Sequence, residues 1–235
     1  MSLVTPFAAV EARIASACAQ ASRPRHSVQL LAVSKTKPAA LVAEAAALGQ
    51  QAFGENYVQE ALGKISALAA LNLQWHHIGA IQSNKTSDIA AHFAWAHGID
   101  RLKIAQRLSE QRPSTLPPLN VCVQVNVSGE ASKSGCEPGE ALTLCRAVMT
   151  LPRLRLRGLM SLPAPVSANR DAHAPFRQLK RLFDLLSQQT PGIDTLSMGM
   201  SDDLEIAIAE GSTLIRVGSA LFGSRAAAES PTSMG

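Results

Sequence analysis

Short apolar runs and longer stretches with helical hydrophobic spacing alternate along the whole chain of 235 residues. That alternation is the signature of βα units, in which strands lie parallel and helices cross over between them. An amphipathic helix over residues 7–20, with Thr5 as cap and Pro6 as first helical residue, precedes the first unit. The pattern predicts strands at 28–34, 52–54, 74–78, 93–97, 119–125, 155–159, 195–198 and 214–217. It predicts helices at 38–48, 57–71, 84–91, 101–111, 138–150, 175–189, 202–210 and a short one at 220–228. The fifth strand is rich in β-branched residues, as expected of a strand buried on both faces. Eight such units give an α/β fold, a single-domain (β/α)8 TIM barrel over residues 1–228 with a small polar tail, 229–235, expected to be disordered. An open doubly wound sheet is the competing architecture, and its dinucleotide-binding form loses support because no GxGxxG follows the first strand.

Composition narrows the function. The chain is 46% hydrophobic and 17% charged, with no compositional break, so one large core is expected. A formal charge of +4 could suit nucleic acid, but the basic residues are scattered and aromatics are only 4%, so no stacking platform is visible. Cys18, Cys122, Cys136 and Cys145 lack any metal or redox spacing. Cys122 and Cys145 lie in apolar stretches, while Cys18 and Cys136 are expected to be partly exposed. No signal pattern opens the chain and no stretch reaches the roughly 20 apolar residues of a membrane span, so a cytoplasmic protein is expected.

In a barrel of this type the chemistry gathers at the C-terminal ends of the strands. Lys35 ends the first apolar strand, in LAVSKTKP. Burial and a second cation at Lys37 both disfavour the ammonium form, which suits an amine that attacks an aldehyde; the plain alternative is a solvated loop lysine. Asn56 follows strand two, and His76 and His77 lie at strand three on opposite faces. After strand seven comes Met198-Gly199-Met200-Ser201-Asp202-Asp203, and strand eight runs through Arg216 into Gly218-Ser219. These last two segments resemble an anion site: Ser201 as helix cap, Gly218 for close approach and Ser219 as a second hydroxyl. Asp202 and Asp203 argue the other way unless their carboxylates turn outward. A strand-end lysine joined to a phosphate cradle points to a phosphorylated aldehyde, and pyridoxal 5'-phosphate is the obvious one. Arg216 at the pyridine nitrogen would leave it unprotonated and the ring a weak electron sink.

Taken together, LAVSKTKP, FGENYVQE, WHHIGAIQSNK, SKSG, LRGLM, LSMGMSDD and IRVGSALFG span the chain in order and resemble the pyridoxal phosphate homeostasis (YggS/PROSC-like) proteins. The resemblance implies a fold like the N-terminal domain of alanine racemase, with pyridoxal 5'-phosphate as a covalent aldimine to Lys35. Arg216 would face the pyridine nitrogen. Ser201, Gly218 and Ser219 would hold the phosphate, and Asn56, His76 and Met200 would line the ring pocket. Lys133 matches a family lysine associated with cofactor handling. No β-rich second domain with an opposing catalytic tyrosine is expected. The implied role is a monomeric, non-catalytic carrier or regulator in vitamin B6 homeostasis, with PLP-dependent apoenzymes as recipients. Two alternatives stand beside it: a weak amino-acid racemase using Lys35 with water or Tyr57 opposite, and a Schiff-base aldolase acting on a sugar phosphate.

Overall fold

The computed structural model describes residues 2–129, 134–163 and 171–223. Among them, strands β1 (Gln29–Val33), β2 (Ala52–Glu55), β3 (Gln74–His77), β4 (Trp95–Ile99), β5 (Leu119–Gln124), β6 (Leu154–Met160), β7 (Thr195–Ser197) and β8 (Leu214–Val217) form a closed barrel in chain order. Every neighbouring pair is parallel, and β8 closes onto β1 with Leu31 beside Arg216. Helix α1 (Val4–Gln20) comes first; α2 (Ala39–Ala47), α3 (Val58–Ala67), α4 (Thr86–His92), α5 (Leu102–Gln111), α6 (Ala141–Met149), α7 (Ala174–Gln189), α8 (Leu204–Ala209) and α9 (Ser219–Phe222) follow the successive strands. The (β/α)8 architecture read from the alternation is therefore the observed one.

Several boundaries differ for local reasons. Helix α1 starts at Val4, so Pro6 sits inside the first turn, where a missing N–H is tolerated. Strand β4 begins at Trp95 because Phe93, although extended, packs edge-on against the His77 ring and only the residues beyond it pair with β3. Helix α8 begins at Leu204, with Asp203 and not Ser201 as the residue before it. The tail and most of the predicted 220–228 helix lie outside the described residues, as does Lys133.

Alternation along each strand builds two apolar compartments. One face packs on the helices, where Phe53, Phe93, Ile89, Ile104, Leu108 and Leu159 are fully buried. Each such side chain contributes about 1.5–3 kcal/mol. The other face fills the barrel, with Leu31, Val33, Ala52, Ile78 and Leu214 in one cluster and Trp95, Cys122 and Met160 in another. Register carries the inner face from Val33 to Gly54, then to His76 and Trp95. The four cysteines are free and all buried, so the expected partial exposure of Cys18 and Cys136 does not hold: their side chains pack in the main core. Burial pushes the Cys136 thiol up to about 11 and Cys145 up to about 12. No helix among the described residues is long and apolar enough to cross a membrane.

Candidate functional site

A cavity of about 630 Å3 opens at the C-terminal ends of the strands, a size typical of small-molecule sites. Lys35 lies on its wall, half-buried, two residues beyond the end of β1. Asn56, Met200, Ser201, Arg216, Gly218 and Ser219 line the same cavity. Seven of the eight cofactor-binding residues expected from the sequence thus converge on one space. A recess of about 600 Å3 between α1 and the opposite ends of β1 and β2 is comparable in volume, but its charged residues, Glu11 and Arg25, pair with each other. The chemistry gathers at the Lys35 end.

His76 is the exception. It is fully buried, and Ile78, two residues on and on the same face of the strand, occupies the cavity wall in its place. His76 instead belongs to a column of hydrogen bonds running beneath the mouth. Arg216 Nη1 donates to Ser197 Oγ at 2.7 Å, Ser197 Oγ lies 3.0 Å from His97 Nδ1, His97 Nε2 lies 3.0 Å from His76 Nδ1, and His76 Nε2 lies 3.0 Å from Gln74 Oε1. With Gln74 Oε1 as the terminal acceptor, the bond pattern assigns each imidazole its proton on Nε2, so His97 Nδ1 accepts the Ser197 hydroxyl. This assignment is the one that neutral rings allow. Burial favours the neutral state, pulling His76 down to about 3 and His97 well below its ordinary value, where His76 and Arg216 add to the effect.

Arg216 is 3% exposed and held at both terminal nitrogens by neutral oxygens, Ser197 Oγ and the Ser161 carbonyl, each at 2.7 Å. The ion pair with a carboxylate that an isolated arginine would suggest is not what anchors it. Burial lowers the guanidinium to about 10, with the Asp203 charge acting in the opposite direction, so the group remains a cation at neutral pH.

The two anion-site loops meet as hydroxyls: Ser219 Oγ donates to Ser201 Oγ at 3.1 Å. Gly199, at φ +97, turns the chain toward Ser201, and a Cβ there would lie 2.5 Å from Ala207 Cβ. Gly218 is a tight place too, since its Cβ would lie 3.2 Å from the Val33 carbonyl oxygen. Asp203 turns back to accept the Met200 N–H at 2.5 Å, which removes one of the two carboxylates expected to repel an anion; Asp202 remains on the cavity wall. Arg13 of α1 donates to the Ser201 carbonyl at 2.9 Å and pairs with Glu205, tying the leading helix to this loop.

Other groups were not legible as site residues. Glu55 is fully buried, and Lys64 is 5% exposed and bridges Glu55 and Glu60. The only sequence signal was the i,i+4 spacing of Glu60 and Lys64, which ordinarily marks a solvated helix face. Tyr57, the acid/base a racemase would need opposite Lys35, is 52% exposed and lies outside the cavity lining. Lys37 also reaches the cavity wall, with its amine donating to the Gly223 carbonyl at 3.0 Å. No group of three or more metal-ligating side chains occurs among the described residues.

Comparison with known proteins agrees with this geometry. The family profile described as alanine racemase, N-terminal domain, matches residues 7–226. The pyridoxal phosphate homeostasis protein of Pseudomonas aeruginosa is 62% identical over 219 residues, covering 93% of this chain and 94% of that protein. The chain belongs to the pyridoxal phosphate homeostasis protein family. The Escherichia coli (strain K12) member is 52% identical over 222 residues, covering 93% and 95% of the two chains. Among solved structures, PipY of Synechococcus elongatus with PLP bound superposes with a TM-score of 0.77 at 39% identity, covering 91% of this chain and 100% of that one. The family resemblance and barrel fold read from the seven sequence segments are thus the observed ones.

The cavity fits the cofactor that the PipY structure holds. Asn56 Oδ1 is buried without a hydrogen-bond partner among the described residues, Arg216 contributes a cation, and two hydroxyls meet where a phosphate would sit. An amine, a guanidinium cation and two hydroxyls on one cavity are a donor set that would fit a phosphorylated pyridine aldehyde.

Proposed function

We propose that this protein binds pyridoxal 5'-phosphate reversibly at the mouth of the barrel and serves vitamin B6 homeostasis without turning over a substrate. The observation that carries this reading is the convergence of Lys35, Arg216 and the Ser201–Ser219 hydroxyl pair on one cavity. Lys35 supplies the amine for a Schiff base with the aldehyde. Ser201, Ser219 and the Gly218 backbone bind the phosphate, Arg216 faces the ring nitrogen, and Asn56 and Met200 border the ring. When bound, the group supplies a reactive carbonyl and an electron-withdrawing ring. Arg216 keeps the ring nitrogen unprotonated, and the position of Tyr57 leaves Lys35 as the evident proton-transfer group, which disfavours two-base racemisation. The names of the relatives and the PLP in PipY support the same reading. We further propose a cytoplasmic monomer that passes its ligand to PLP-dependent apoenzymes, with Lys133 assisting the transfer.

The test is borohydride reduction after incubation with pyridoxal 5'-phosphate, followed by peptide mass spectrometry. A pyridoxyl adduct on Lys35, lost in Lys35→Ala, is expected. No adduct on wild type, or an adduct that persists elsewhere in the variant, overturns the assignment. Retention of the α-hydrogen of alanine and serine in deuterated solvent is expected of the loaded protein and would exclude the racemase alternative; exchange accompanied by formation of the opposite enantiomer would support it.

A further inference from the structure

Both peptide groups that flank Lys35 are held by side chains of α3. The Ser34 carbonyl accepts from Lys64 Nζ at 2.7 Å, and the Thr36 N–H donates to Glu60 Oε1 at 2.6 Å. Lys64 Nζ also donates to Glu60 Oε1 at 2.5 Å and to Glu55 Oε1 at 2.7 Å. The Ser34 hydroxyl completes the set by donating to the same Glu55 oxygen at 2.6 Å. One ammonium and two carboxylates therefore enclose the backbone on either side of a single half-buried lysine. A buried ion set of this kind is weak as a stabiliser of the fold, because desolvation offsets its attraction. Its location suits a different task.

The backbone at this point needs holding. Thr36 has φ +64, a left-handed conformation that a β-branched residue rarely adopts. The Lys37 N–H donates to the Ser34 carbonyl at 3.0 Å, so residues 34–37 form a tight turn with Lys35 second and Thr36 third, the position at which glycine is usual. Such a conformation persists only where surrounding contacts over-determine it. The Glu60 carboxylate on the Thr36 N–H and the Lys64 ammonium on the Ser34 carbonyl are those contacts.

We propose that Glu60 and Lys64 are positioning residues for Lys35: by fixing the peptide groups before and after it, they set the direction in which its side chain enters the cavity. This rests on the reading of Lys35 as the attachment residue and extends it to the groups that aim the amine. Neither residue lines the cavity, so each acts through Lys35.

The test uses the full chain with Glu60→Ala, the milder Glu60→Gln, and Glu60→Ala combined with Thr36→Gly. Glu60 is partly exposed, so these variants are expected to fold, and thermal melting checks that they do. Titration with pyridoxal 5'-phosphate, read by absorbance and by borohydride trapping on Lys35, is expected to show roughly tenfold weaker binding for Glu60→Ala and a smaller loss for Glu60→Gln. Adding Thr36→Gly is expected to restore most of the lost affinity, since glycine adopts the left-handed conformation without the carboxylate. A generic loss of stability would not be rescued by glycine at that one position. Amide exchange at Thr36 in the ligand-free protein is expected to accelerate in Glu60→Ala, and this readout is independent of the cofactor. Unchanged exchange, unchanged affinity, or failure of the glycine to rescue overturns the positioning role. Absence of any adduct on wild type, with accelerated Thr36 exchange in the variant, would overturn the cofactor reading alone.

Discussion

Arg216→Met separates what the buried guanidinium does for folding from what it does for binding. Two opposing contributions can be sized from the structure. Burial lowers the group to about 10, which corresponds to about 3 kcal/mol against the charged folded state near neutral pH. The sign follows from linkage: a base whose folded pKa is depressed carries its penalty in full below that value, and the penalty fades as pH rises toward the unfolded pKa. Methionine removes the penalty and fills similar space. Against this stand two lost hydrogen bonds, to Ser197 Oγ and the Ser161 carbonyl, each leaving a buried acceptor at a cost of about 1–3 kcal/mol. The contributions largely oppose each other, so stability without ligand is expected to change by no more than about 3 kcal/mol, or less than about 12 °C in Tm for a domain of this size. Affinity for pyridoxal 5'-phosphate is expected to fall at least about tenfold, because a charge-assisted contact to the ring nitrogen is removed. Calorimetry and urea unfolding of the ligand-free variant, with a parallel cofactor titration, test both halves. Destabilisation beyond about 4 kcal/mol would refute the cancellation and make Arg216 a structural residue first.

Other consequences follow from the same geometry. Ser201→Ala and Ser219→Ala are each expected to weaken pyridoxal 5'-phosphate binding by roughly three- to tenfold while leaving pyridoxal, which lacks the phosphate, unaffected; equal loss for both ligands would remove the hydroxyls from the anion cradle. Gly199→Ala is expected to cost about 2 kcal/mol or more in urea unfolding, from φ +97 and the clash with Ala207, and wild-type stability would contradict this. His77 is 1% exposed and lowered by burial to about 4, so its unfolded form takes up a proton that the folded form refuses as pH falls from about 6.5 to about 4. His77→Phe should therefore lose up to about 3 kcal/mol less stability than wild type over that interval, and identical pH profiles would show that the ring is not held neutral.

The barrel was legible because hydrophobic alternation repeats in every unit, and local errors arose where tertiary contacts decide a boundary. Phe93 has the apolar character of a strand residue, yet it is used for packing against His77 and β4 starts two residues later. Ser201 and Asp203 are both competent caps. Asp203 precedes the helix because the turn that brings Ser201 beside Ser219 occupies residues 200–203. Lys35, Arg216 and the serines were legible because each ends a strand or follows one. His76 misled, since periodicity gives the face of a strand but not the depth along the barrel, and two residues separate the wall from the layer beneath. Glu60 and Lys64 were hidden for a different reason: their importance lies in the backbone they touch across 24 and 30 residues, which no local pattern encodes.

The column beneath the mouth explains how Arg216 can be rigid without a directly paired carboxylate. A carboxylate would anchor a guanidinium more strongly, but it would offset the cation, and a carboxylate at a pyridine nitrogen would favour the protonated ring. Ser197, His97 and His76 instead hold one guanidinium edge through neutral groups, and their hydrogen bonds run in a single direction to Gln74. Protonating His97 would place a donor on Nδ1, leaving it unable to accept from Ser197 and setting a second cation beneath the first; burial resists this. Arg216 is therefore held at the cavity wall by neutral oxygens, with the Asp203 charge acting on it through space. In the proposed complex it favours an anionic ligand and draws little electron density out of the ring. Firm binding with weak carbanion stabilisation suits a protein that keeps its cofactor intact and gives it up again, and it follows from an arginine seated on a serine and two histidines where a carboxylate would have made a better electron sink.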